Sequence, residues 1–148
     1  MADVRRSPGS RKHPQFNGAN LEGSLREAGI GYRHFPDLGG RRKKRADGSP
    51  NTAWRVEAFN AYADHMQTAE FRQALAELEV GAQDTPTTIM CAEALPWRCH
   101  RRLIADALAA RGWTVFDIFR AGKARQHDLP EFAKVVEGEV TYPGETLF

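Results

Sequence analysis

Both cysteines of the chain fall within one dozen residues, CAEALPWRCHRR from Cys91 to Arg102, beside one glutamate, one histidine and three arginines. These residue types can do nucleophilic chemistry. A thiol close to cations and to a helix N-terminus is stabilised as thiolate, so Cys91 and Cys99 are candidate nucleophiles. His100 and Glu93 can move protons, and Arg101 can hold an anion. Each residue also has a plainer role. A free cysteine is a common small buried hydrophobe. His100 precedes Leu103 and Ile104 by three and four residues, which starts it on a buried helix face. Glu93 can instead pair with Arg5 or Arg101. Both sets of roles remain open on the residues alone. Zinc is a further option for Cys91, Glu93, Cys99 and His100. However, the spacing C-x-E-x5-C-H matches no paired-cysteine zinc pattern and the nearby arginines oppose a cation, so no metal ligand is assigned.

The elements around this loop decide what it can reach. Thr87 to Cys91 is a short β-branched run that reads as a buried strand. After the charged loop, Leu103, Ile104, Ala107 and Leu108 recur at helical spacing, Gly112 closes that helix, and Trp113 to Ile118 reads as the next strand. The front of the chain repeats the pattern. Asp3-Val4-Arg5 ends a strand, and a polar loop runs from Arg6 to Asn17. Asn20 is the expected cap of a helix carrying Leu21, Leu25 and Ala28, Gly29 ends it, and Ile30 to Phe35 resumes as strand. Two strand–loop–helix–strand units argue an α/β fold with a mainly parallel sheet flanked by helices, a three-layer Rossmann-like arrangement.

In open parallel sheets, ligands bind outside the carboxyl ends of the strands. One rim would then carry Asp3, Arg5, Arg6, Ser7, Ser10 and Arg11 from the first loop. His34, Asp37, Gly39, Gly40 and Arg41 come from the second, and Cys91, Glu93, Cys99, His100 and Arg101 from the third. The candidate site assigns catalysis to Cys91, Glu93, Cys99 and His100. It assigns anion binding to Asp3, Arg5, Arg6, Ser10, Arg11 and Arg101, and Asp3, Arg5, Cys91, Glu93 and His100 are expected in one pocket. The helix after the third strand begins near Pro96 without Ser, Thr, Asp or Asn, so its first N–H groups need another acceptor, an anionic ligand or water.

Elsewhere, Phe59, Tyr62, Ala63 and Met66 share one helical face. Thr68 is a cap candidate for a second helix carrying Phe71, Leu75 and Leu78. Arg41 to Arg45 and Asp47 to Pro50 read as an exposed loop. Lys134 to Val136 and Val140 to Tyr142, around Glu137-Gly138-Glu139, read as a hairpin with a weak turn signal.

The 148 residues suit one domain spanning 1–148, and 41% hydrophobic with 27% charged residues describes a folded chain. No apolar run nears the roughly 20 residues that span a bilayer, and the first residues have no apolar core of an export signal. A cytoplasmic location with reduced thiols is expected, and no membrane partner. Residues 1–45 carry eleven Lys/Arg against four Asp/Glu, whereas the remaining 103 carry ten against fifteen. The positive front suits a phosphate-bearing small molecule or nucleic acid. The alternatives are a non-catalytic nucleic-acid-binding module using that front and, third, a zinc-stabilised structural domain. The residues indicate no cofactor and no oligomeric state.

The stretches DVRRSPGSRKHPQFN, FPDLGGRR, AYADHMQTAEFRQAL and above all MCAEALPWRCHRRLIADAL resemble the bacterial and archaeal family called domain of unknown function family 488. The resemblance implies a compact α/β fold with a parallel sheet. It also implies a shared site at Asp3, Arg5, Cys91, Glu93, Cys99, His100 and Arg101, without implying a reaction. Members usually carry an earlier strand, with a Gly-His-Ser-like motif, and a helix. With these absent, the Val4 segment is expected to be an unpaired sheet edge.

Overall fold

The computed structural model describes residues 1–43 and 47–145. Among them the helices are α1 (Gly18–Glu27), α2 (Glu57–His65), α3 (Ala69–Ala82) and α4 (Arg101–Ala110). The strands are β1 (Ala2–Asp3), β2 (Arg33–His34), β3 (Ile89–Met90), β4 (Phe116–Arg120), β5 (Lys123–Gln126), β6 (Lys134–Val136) and β7 (Glu139–Thr141). The class is mixed α/β: one three-stranded parallel sheet and two antiparallel pairs. No helix among the described residues is long and apolar enough to cross a membrane.

The chain divides into two compact units. The first comprises Met1–Gly40 and Ala69–Ala92. Its sheet has the order β2-β1-β3, with Asp3 beside His34 on one side and Met90 on the other. The first strand is therefore central, and the expected unpaired edge at Val4 is corrected. Val4 is fully buried and its N–H donates to the Met90 oxygen at 3.0 Å. The edges are instead β2 and β3, which explains why Ile89 and Met90 are only half-buried where a buried strand was expected. In α3 the helical period holds: Phe71, Ala74, Leu75 and Leu78 are buried, and the helix packs on the 3₁₀ turn Pro36–Leu38. Burial of each such leucine is worth about 1.5–3 kcal/mol. Helix α1 starts earlier than expected, with Asn17 at its N-cap rather than Asn20. It contains no buried residue, and Gly29 follows at φ +73°.

The second unit comprises Arg41–Thr68 and Glu93–Phe148. Tyr62, Ala63 and Met66 of the α2 stretch are buried, as are Leu103, Ile104, Ala105 and Ala107 of α4. Trp54 and Tyr142 join this core with ring centroids 5.1 Å apart. Gly112 closes α4 at φ +92°. The strand that follows does not join a parallel sheet. β4 pairs antiparallel with β5, and the fold is not mainly parallel as expected. The physical cause is the Ala121-Gly122 turn, with Gly122 at φ +71°, which sends the chain straight back. Its alternating exposure is that of a half-solvated antiparallel strand. The β6–β7 hairpin turns through Glu137 (φ +52°) and Gly138 (φ +78°), the positive pair a two-residue type I′ turn requires. Of the basic run, Arg41 and Lys43 are exposed, whereas Lys44 and Arg45 lie outside the described residues.

Candidate functional site

In the first unit, parallel pairing sends the chain out of all three strands at one edge. Because Asp3 faces Met90, Arg5 and Cys91 follow from neighbouring strands. Asp3 is fully buried, and Arg5 meets it at two points: Nε donates to Oδ1 at 2.8 Å and Nη2 to Oδ2 at 2.6 Å. The Tyr32 hydroxyl also donates to Oδ2 at 2.6 Å, and the Arg5 backbone N–H to Oδ1 at 3.1 Å. Burial alone would raise the Asp3 pKa. The Arg5 and Tyr32 hydrogen bonds outweigh it, so the carboxyl sits below its ordinary value. Burial and the same carboxylate push the Tyr32 hydroxyl up to about 12. His34 Nε2 donates to the Arg5 backbone oxygen at 2.7 Å, fixing the loop that leaves β1.

That loop also passes close to Gly39. A β-carbon there would lie 2.6 Å from the Arg6 α-carbon, so only glycine permits this approach. Arg6 and Arg11 are exposed. The Ser10 backbone N–H donates to Asn17 Oδ1 at 2.5 Å, and its hydroxyl accepts from the His13 N–H at 3.0 Å. Cys91 is half-buried, and neither cysteine is in a disulfide.

In the second unit, Pro96–Arg98 forms one 3₁₀ turn and α4 begins only at Arg101. Two carbonyls between the turn and α4 answer the missing helix cap. The Arg102 N–H bonds the Cys99 oxygen at 3.1 Å, and the Leu103 and Ile104 N–H groups bond the His100 oxygen. These donors require no external acceptor, which corrects the expectation of a ligand or water for this part of the helix start. Cys99 is buried, and Arg101 Nε donates to its sulfur at 3.0 Å. Arg101 Nη2 reaches back to the Glu93 backbone oxygen, so the guanidinium ties both ends of the loop. The His100 ring packs on Tyr62 with centroids 5.3 Å apart. Glu93 is exposed. Among the described residues no group of three His, Cys, Asp or Glu side chains is placed to hold a metal ion.

A second polar cluster in this unit went unread in the sequence. Asp106, fully buried on the apolar face of α4, accepts from the Tyr142 hydroxyl at 2.7 Å and from His127 Nε2 at 2.6 Å. His127 Nδ1 lies 2.9 Å from Asp117 Oδ2. Burial opposes a charged imidazole, but the hydrogen bonds and charges of Asp106 and Asp117 win, and the His127 pKa is raised. Burial and the Asp106 charge push the Tyr142 hydroxyl up as well. The available signal was Asp106 itself, an acid three residues after Leu103 in an apolar stripe, which is costly unless paired. Beside the cluster opens a cleft of about 170 Å³ lined by Trp97, Arg102, Asp117, Arg125, His127 and Asp128, among others.

The family model described as Domain of unknown function DUF488 matches residues 1–108. The chain belongs to that family. No curated protein and no solved structure matches it. The DUF488 match includes Asp3, Arg5, both cysteines, His100 and Arg101, and it ends inside α4. Asp117, His127 and Tyr142 lie beyond it.

Proposed function

We propose that this DUF488 protein binds a phosphate-bearing ligand, a nucleotide or nucleic acid, at the carboxyl ends of its parallel strands, and that a cysteine thiol there is its reactive group. The reading treats residues 1–148 as one domain with helices layered on the sheet in a Rossmann-like way. Arg5, Arg6, Ser10 and Arg11 are the anion-binding residues of the first unit, where Asp3 fixes Arg5, and Arg101 is that of the second, where Glu93 and His100 handle protons.

The observation that carries it is the guanidinium at the Cys99 sulfur. A cationic N–H donor 3.0 Å from a sulfur favours the thiolate over the thiol. Cys99 is thus the better-activated thiol, and half-buried Cys91 the more accessible one.

The test is the rate of iodoacetamide labelling of each cysteine against pH, read by peptide mass spectrometry. Arg101→Met should move the midpoint of the Cys99 profile upward and leave that of Cys91 in place. Equal hydrogen-exchange protection of the loop in the two proteins shows that the shift does not come from faster local opening. Coincident Cys99 midpoints in the two proteins would contradict the reading.

A further inference from the structure

The cleft of the second unit combines features that neither the Cys99 loop nor the buried Asp106 cluster uses. Arg102 and Arg125 both line it. Arg102 lies over the Trp54 ring at 4.8 Å, and Arg125 over the Phe119 ring at 5.6 Å. Among the described residues neither forms an ion pair with a carboxylate. Cations positioned by aromatic faces keep their charge and most of their hydrogen-bond donors for an external anion. The two acids of the cleft are unequal. Asp117 is committed to His127, whereas Asp128 is exposed at the rim.

Trp97 supplies the other half. Its ring is 45% exposed, costly for so large an apolar side chain, yet it is steadied against Phe119 at 5.5 Å. An exposed, oriented indole beside guanidinium groups is how proteins grip a base and its phosphate together. The cleft's volume, about 170 Å³, is well below the roughly 300 Å³ at which enclosed small-molecule pockets begin. It suits one ligand unit resting partly in solvent.

We infer that this cleft binds a nucleoside phosphate unit, with Trp97 stacked on the base and Arg102 and Arg125 on the phosphate. The ligand class rests on the function proposed above; the site does not. The unit is either a free nucleotide or one residue of a single strand, and the chemistry is the same.

The experiment measures binding of AMP, adenosine, ribose 5-phosphate and single-stranded oligoadenylate by calorimetry to the full chain and its variants. AMP or the strand should bind, with adenosine and ribose 5-phosphate each weaker. Trp97→Ala and Arg125→Ala should each weaken binding on the order of tenfold, Trp97→Phe should restore most of the stacking, and Asp128→Asn should tighten binding. Trp97 and Arg125 are exposed, so these variants should melt near the wild type; if Trp97→Ala does not fold, Arg125→Ala and Asp128→Asn decide. Equal affinity for AMP and the strand identifies a free nucleotide. Binding of the strand alone, weakening with salt, identifies nucleic acid. Binding unchanged in the Trp97 and Arg125 variants but lost in Arg101→Met would overturn this inference and leave the proposed function standing. No binding of any probe would overturn the cleft, while the Cys99 labelling profile still judges the loop separately.

Discussion

Asp3 and Asp106 are both fully buried carboxylates, and each accepts from a tyrosine hydroxyl and from a basic side chain, Arg5 in one case and His127 in the other. The partners differ in two ways. Arg5 lies two residues from Asp3 and also brings its own backbone N–H, whereas His127 and Tyr142 come from 21 and 36 residues beyond Asp106. Arginine stays charged at every accessible pH, whereas histidine does not. In the first cluster the basic partner is local and only Tyr32 comes from afar, and it holds the exit of a strand. The second ties α4 to β4 through His127 and to Tyr142, the residue after β7.

That contrast orders the expected effects. His127→Ala removes the side chain that bridges two carboxylates, one of them fully buried, and should cost about 3–5 kcal/mol in urea unfolding. Arg5→Met should cost less, about 1.5–3 kcal/mol, because Asp3 keeps the backbone N–H of residue 5 and the Tyr32 hydroxyl. If the arginine variant proves the weaker protein, the local cluster and not the long-range one carries the stability.

The smaller effect is in pH, and the two clusters should fail at opposite ends. The Asp3 pKa is lowered on folding, so its contribution is present above the ordinary carboxyl value of 3.8 and is lost as pH falls through the folded value. The His127 pKa is raised, so its contribution is full below 6.5 and is lost as pH rises through the folded value. Unfolding midpoints across pH should therefore decline on an alkaline limb that begins above 6.5. His127→Gln should flatten that limb and leave the acid limb in place. An alkaline limb of the same slope in both proteins would assign it to other groups.

The same contrast explains what the sequence reveals. Leu103 and Ile104 are fully buried and the Phe71, Leu75, Leu78 stripe is core, because helical period and burial are one signal. Gly29 and Gly112 end their helices at positive φ, where glycine has no steric penalty. Asp3 and Arg5 are legible as a pair because the residues are near neighbours. Asp106 announces a buried charge but not its partner, since nothing local points to residue 127. The start of α4 is not legible because the Cys99 and His100 carbonyls just ahead of it, and not a side-chain cap, accept from its N–H groups. β4 reads as a parallel strand from the strand–loop–helix pattern before it, whereas the Ala121-Gly122 turn after it decides its antiparallel partner.

The central claim, a phosphate-bearing ligand held where the thiols are, is tested most directly by ligand protection. Full-length protein is labelled with iodoacetamide with and without saturating AMP or oligoadenylate, whichever raises its melting temperature, and Cys91 and Cys99 are quantified separately. The account expects the ligand to slow labelling of at least one cysteine severalfold, and Arg101→Met to abolish that protection. A ligand that still raises the melting temperature of the Arg125→Ala protein, in which the cleft is weakened, yet leaves both labelling rates unchanged would place binding away from the thiols and contradict it.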